Sequence, residues 1–226
     1  MTTPLIIGSV LRRPELIREQ LTRAREAGLT VLADAMDLLL SSKASNDLLE
    51  ACAIESVGAV CSGKKLGADG FIGLAGVEAK PKKSGLKTAD GGCINDDTPM
   101  KLLRDTKEIP WVVFQNAEES GDRINWQVVA PYSSWTKPRF LAICDRLGVA
   151  RAWPETSEAQ VAALEELVTQ HRAKTYVRSN PLNLTLLLTI PPEQLQVWLH
   201  PDLPLASFPQ IIRDVYNRTS APPTAL

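Results

Sequence analysis

Two carboxylates and a lysine stand close together in the stretch Lys65 to Lys83, which reads Lys-Leu-Gly-Ala-Asp69-Gly-Phe-Ile-Gly-Leu-Ala-Gly-Val-Glu78-Ala-Lys80-Pro-Lys-Lys. Glu78 and Lys80 are two positions apart, so on a strand they point to one face while Val77 and Ala79 point to the other. Asp69 lies beyond the segment Gly73 to Gly76, a glycine turn suited to a hairpin because glycine tolerates positive φ. Pairing a strand over 67–72 with one over 75–80 brings Asp69 toward Glu78. Such a group suits a hard divalent cation, since Mg2+ takes one or two carboxylates, waters and substrate phosphates. Mg2+, or Mn2+ in its place, held by Asp69 and Glu78 would activate water and neutralise charge on a phosphodiester. Lys80 would orient that water or stabilise the developing charge.

These residues must be positioned by the elements around them. Ser45 or Asn46 caps a helix that runs to about Val60, so a helix precedes the hairpin. After the hairpin, a polar loop over 84–97 leads to a helix over 99–107 with Pro99 at its first position. Pro110 to Gln115 (PWVVFQ) is the strongest strand in the chain, and Arg123 to Ala130 (RINWQVVA) is the next. The fold class is therefore α/β, a central mixed sheet flanked by helices.

The arrangement resembles the PD-(D/E)xK nuclease superfamily, the restriction-endonuclease-like proteins. Asp69 matches the first acid, Glu78 the second and Lys80 the lysine of the ExK element, over roughly Asn46 to Ala130. Ala68 precedes Asp69 where the family motif has proline. The resemblance implies a restriction-endonuclease-like core in which the two acids hold Mg2+ and the lysine assists attack on DNA. It also implies a third acid from the preceding helix, for which Glu50 and Glu55 compete. Glu55 is favoured as a metal ligand because it is nearer the hairpin. The implied function is Mg2+-dependent endonucleolytic hydrolysis of double-stranded DNA, of restriction type, with a homodimer as the working form. The alternatives are a DNA repair or recombination nuclease and a non-catalytic DNA-binding module of the same fold. A third reading is an interaction protein whose hairpin charges are merely solvated, since charged strand ends are common.

With 226 residues and a net charge of −1, the chain has no global basic signature for nucleic acid, so a local patch must supply phosphate contacts. Between Val60 and Asp90 six lysines face three acids. Lys65, Lys82, Lys83 and Lys87 are the candidate DNA-binding residues. Four scattered cysteines without a CxxC, and two histidines, speak against a zinc site and fit a reducing compartment. The sequence has no long apolar run and no signal-peptide pattern, so the expectation is a soluble, cytoplasmic protein. No GxGxxG or Walker loop supports a nucleotide-binding enzyme.

The expected organisation is an N-terminal helical extension over 1–45, a nuclease core over 46–150, a C-terminal helical part over 151–218 and a disordered tail over 219–226. Helices are expected over 14–27 and 31–40, the second with Leu32 inward. A further helix opens at Ser157, with Gln160 completing a capping box. Gln115, Asn116, Asn125 and Gln127 are amides able to read base edges, or else ordinary polar strand positions. Trp135, Lys137 and Arg139 combine an aromatic with basic residues, as a nucleic-acid backbone contact would.

Overall fold

The computed structural model describes residues 16–41, 45–63, 67–83, 86–87, 89–118, 124–171, 177 and 180–220. Side chains at 16–20, 36, 38–46, 48 and 83 lie outside that description.

Helix α1 (Leu16–Glu26) and helix α2 (Thr30–Ser41) lead into helix α3 (Ser45–Ser56). Among the described side chains of α2 the buried one is Ala33, while Leu32 is exposed. Leu32 thus does not face inward as the sequence reading expects: it lies with Val31 on an exposed side of α2.

Six strands form the main sheet: β1 (Val60–Cys61), β2 (Gly70–Ile72), β3 (Ala75–Lys83), then β5 (Trp111–Ala117), β6 (Ile124–Pro131) and β8 (Gln196–Leu199), in that spatial order. All neighbours are antiparallel except β3 and β5, which run parallel. A parallel pair needs a crossover, and helix α4 (Pro99–Glu108) supplies it. Thr98 caps α4 by accepting the Lys101 N–H, with Pro99 at the first turn. A small second sheet joins β4 (Cys93–Ile94) to β7 (Asn180–Pro181). Helices α5 (Thr136–Leu147), α6 (Ser157–Gln170) and α7 (Gln210–Ser220) complete the fold. The cap of α6 is Thr156, which accepts the Ala159 N–H, while Gln160 bonds the Pro154 carbonyl. The segment expected to be helical over 151–218 also contributes strands, and β8 closes one edge of the main sheet. Helix α7 continues through Thr219 and Ser220, two residues past the expected end, and the rest of the expected tail lies outside the described residues.

The hairpin is tighter than the glycine run suggests. Ile72 pairs with Ala75, so the turn is Gly73–Leu74, with Gly73 at φ 60. Alternation along β3 divides the core. Val77 and Ala79 face α3, meeting Ala53, Ile54 and Val57 together with Val113 and Val129. The opposite face of β5 and β6, with Val112, Phe114, Trp126 and Val128, packs against Trp135, Leu182, Leu187, Ile212 and Val215. Glu78 pairs with Val112 and Lys80 with Phe114, so both belong to this second face. A third apolar group joins α4, α5 and α6 through Leu102, Phe140, Ile143, Leu164 and Leu167.

Pro81 inside β3 is compatible with the sheet because β2 is short. Val77 and Ala79 turn their backbone groups toward β2, and so, by alternation, does position 81. β2 has ended by that point, so the missing proline N–H breaks no ladder bond.

Candidate functional site

Where β2 stops, β3 has an open flank, and Asp69 occupies it. The Asp69 backbone N–H donates to the Val77 carbonyl at 3.0 Å. Its side chain then takes over from the ladder, Oδ2 accepting the Ala79 N–H at 2.7 Å. Asp69 is therefore fixed at both its main chain and its side chain, in line with the sheet edge. Glu78 is buried on β3, and the Lys80 ammonium donates to Glu78 Oε1.

The third acid is Glu50, on α3. A hydrogen bond joins its carboxyl to that of Asp69. Burial, the Asp69 charge and the Glu78 charge push the Glu50 carboxyl up to about 7, against a smaller opposing effect of Lys80. Asp69 rises to about 6, through burial first and the Glu78 charge second, with the Ala79 N–H and Lys80 working the other way. Lys80 is held above the usual lysine range: burial lowers it, but Glu78, Asp69 and Glu50 together outweigh that. Each group thus feels the others, and both carboxyls of the Glu50–Asp69 pair hold a proton more readily than free carboxyls do.

Glu55 does not join this group. It is exposed, and its charge acts on Cys52 and Cys61. The reason is helical phase: five residues from Glu50 is about 500° of turn, far off its face. The signal was present in the sequence, because Glu50 lies on the same i, i+3, i+4, i+7 stripe as Ala53, Ile54 and Val57. Proximity along the chain to the hairpin was the wrong criterion.

A buried amide ladder sets α3 on the sheet. Gln127 Nε2 donates to Ser56 Oγ at 2.7 Å and to Gln115 Oε1 at 3.1 Å, and Gln115 Nε2 donates to the Leu49 carbonyl at 3.4 Å. Asn125 donates to Asn116 at 2.8 Å. All four amides are buried, so the base-reading expectation for them does not hold in this structure. Trp135 and Arg139 are also buried, which removes them as a backbone-contact surface. Arg139 instead bridges Asp97 and Asp105 at 2.7 Å to each, with its guanidinium over the Tyr132 ring.

Among the candidate lysines, Lys82 is partly exposed and lies 3.4 Å from Asp90, and Lys87 is exposed. Lys65 and the Lys83 side chain lie outside the described residues.

Among the described residues, no three or more His, Cys, Asp or Glu side chains form a ready-made metal cage. Mg2+ does not require one, because it is held by one or two carboxylates with waters and substrate oxygens completing the shell. Asp69 and Glu78 fit that description chemically, and a divalent cation would relieve the burial and the neighbouring Glu78 charge that raise the Asp69 carboxyl. Among the described residues, no helix is long and apolar enough to cross a membrane. No family model, curated protein or solved structure matches the chain.

Proposed function

We propose that the chain is a metal-dependent endonuclease hydrolysing phosphodiester bonds in double-stranded DNA, with a restriction-endonuclease-like core. The observation that carries this reading is the convergence of Glu50, Asp69, Glu78 and Lys80 on the open flank of β3. The element order supports it: helix α3, strand β1, the hairpin β2–β3, helix α4 and strand β5 follow one another, and these strands lie in one mixed sheet. In this reading β1, too short to read from sequence, would serve as the first strand of the core.

In this reading Asp69 and Glu78 hold Mg2+ or Mn2+, with Glu50 hydrogen-bonded to Asp69. The chemistry such an ion supplies when bound is charge neutralisation at the phosphodiester and activation of water. Lys80, charged and held at Glu78, presents an ammonium where negative charge develops. The Glu50–Asp69 pair, both raised, can take up a proton near neutral pH. Lys82, Lys83 and Lys87 supply phosphate contacts along the strand end, and the protein acts as a homodimer of restriction type. A repair or recombination role uses the same chemistry.

The test is cleavage of a duplex DNA pool of varied sequence with Mg2+ or Mn2+, beside a mobility-shift assay. The wild type cuts and EDTA stops it. Lys80→Ala lowers kcat roughly a hundredfold or more while DNA binding persists. A protein that binds but never cuts, across metals and sequences, would be the non-catalytic module instead.

A further inference from the structure

The loop after β3 returns across the face that carries Glu78 and Lys80. Asp90 Oδ2 stands 3.4 Å from Lys82 Nζ, and Asp90 Oδ1 accepts the Gly92 N–H at 2.7 Å. Two residues on, Gly92 lies against the Lys80 stem. A Cβ built on Gly92 would stand 3.3 Å from Lys80 Cδ and 3.5 Å from Lys80 Cβ. Asp90 thus lies over Lys82, and Gly92 over Lys80.

The outer side of this segment is equally confined. The Leu182 N–H donates to the Gly92 carbonyl at 3.0 Å, and the β4–β7 ladder follows directly, with Cys93 opposite Pro181 and Ile94 opposite Asn180. A Cβ on Gly91 would fall 1.8 Å from the Leu182 carbonyl oxygen. The backbone of 91–92 therefore runs between the Lys80 methylenes and the chain at Leu182: no side chain fits at Gly91, and a Cβ on Gly92 would press on the Lys80 stem. Gly92 also takes φ 76, which L-residues rarely adopt. These two glycines, which in sequence suggest a flexible loop, are instead pinned from both sides.

We infer that Asp90–Gly92 is a strap that positions Lys80, holding its stem against β3 so that the ammonium stays on Glu78. The catalytic consequence rests on the proposed nuclease reading; the hold on Lys80 does not. A long flexible stem has many rotamers, and confining it removes most of them. Asp90 is a positioning residue, acting through Gly92, and the small sheet β4–β7 backs the strap.

The inference is tested on the full chain by reductive methylation under native conditions, with peptide mass spectrometry comparing Lys80 and the exposed Lys87. In the wild type Lys80 labels several-fold more slowly than Lys87. Gly92→Ala and Asp90→Ala raise the Lys80 rate toward that of Lys87 and leave Lys87 unchanged. Asp90→Asn keeps an acceptor for the Gly92 N–H and so retains protection. Circular dichroism establishes that each variant is folded, and the exposed position of Asp90 makes its variants safe in this respect. In a parallel DNA cleavage assay, Gly92→Ala and Asp90→Ala lower kcat roughly a hundredfold with KM little changed. Lys80 labelling as fast as Lys87 in the wild type, or unchanged in folded Gly92→Ala and Asp90→Ala, overturns the strap. Faster Lys80 labelling with undiminished cleavage overturns its positioning role. A wild type that protects Lys80 but cuts no DNA sinks the nuclease reading alone and leaves the strap standing.

Discussion

Glu50 and Asp69 share a hydrogen bond between two carboxyl groups, one carried on helix α3 and the other at the foot of β2. Two carboxylates cannot occupy such a contact without a proton or a cation between them. The bond is therefore a proton-dependent link between the helix and the sheet edge.

Stability should fall as pH rises through this link. Glu50 titrates from 4.5 in the unfolded chain to about 7 in the fold, and Asp69 from 3.8 to about 6. Both folded values are raised, so the folded state binds more protons in this interval, and stability present below about pH 4 is lost by about pH 7. The partly exposed position of Glu50 limits its share to on the order of 1 kcal/mol. Glu50→Gln keeps a hydrogen-bond donor and removes the charge, so it should flatten the decline between pH 5 and 7. Urea unfolding across pH measures this, and an unchanged slope in Glu50→Gln would disprove the assignment.

Divalent metal should act with the opposite pH dependence. Carboxylates must be deprotonated to bind a cation, so added Mg2+ should raise the Tm more at pH 8 than at pH 5.5. Asp69→Asn should abolish the increment and Glu55→Gln should leave it intact. Thermal melts with and without EDTA decide the matter, and a metal effect surviving in Asp69→Asn would place the ion elsewhere.

The amide ladder should matter for stability and for the placement of Glu50. Gln127→Leu leaves Ser56 Oγ and Gln115 Oε1 without the amide that bonds them, at a cost of about 1–3 kcal/mol. Cleavage should fall as well, because α3 carries Glu50. Denaturant titration alongside the DNA assay tests both parts, and a neutral Gln127→Leu would show that α3 is placed by its apolar contacts alone.

The most damaging single change away from the site should be Arg139→Met. It strips Asp97 and Asp105, both fully buried, of the guanidinium that pairs with them, and breaking a buried pair costs about 3–5 kcal/mol. Asp105 is held below its usual range because Arg139 and Lys101 outweigh the effect of its burial. Its contribution is present above pH 3.8 and lost as pH falls through the lowered folded value. Equilibrium unfolding near neutral pH, compared with Arg151→Met on the surface, gives the contrast.

Local chemistry in the sequence determined the hairpin, the shared face of Glu78 and Lys80, the Thr98–Pro99 helix start and the strong strand at PWVVFQ, because each depends on a few adjacent residues. Periodicity also contained the choice between Glu50 and Glu55, in the stripe with Ala53, Ile54 and Val57. What only the tertiary structure decided involves partners distant in the chain. Asp69 bonds to Ala79 because β2 ends early, which no residue of β2 announces. Gln115, Gln127, Trp135 and Arg139 read as surface polar, aromatic or basic groups, and only the fold buries them, with partners at Ser56, Asn183 and Asp97. β1 and β8 are too short for period two to register, and only pairing with β2 and β6 makes them strands. Gly91 and Gly92 suggest freedom in sequence and are fixed in the fold, since Lys80 and Leu182 close on them from opposite sides.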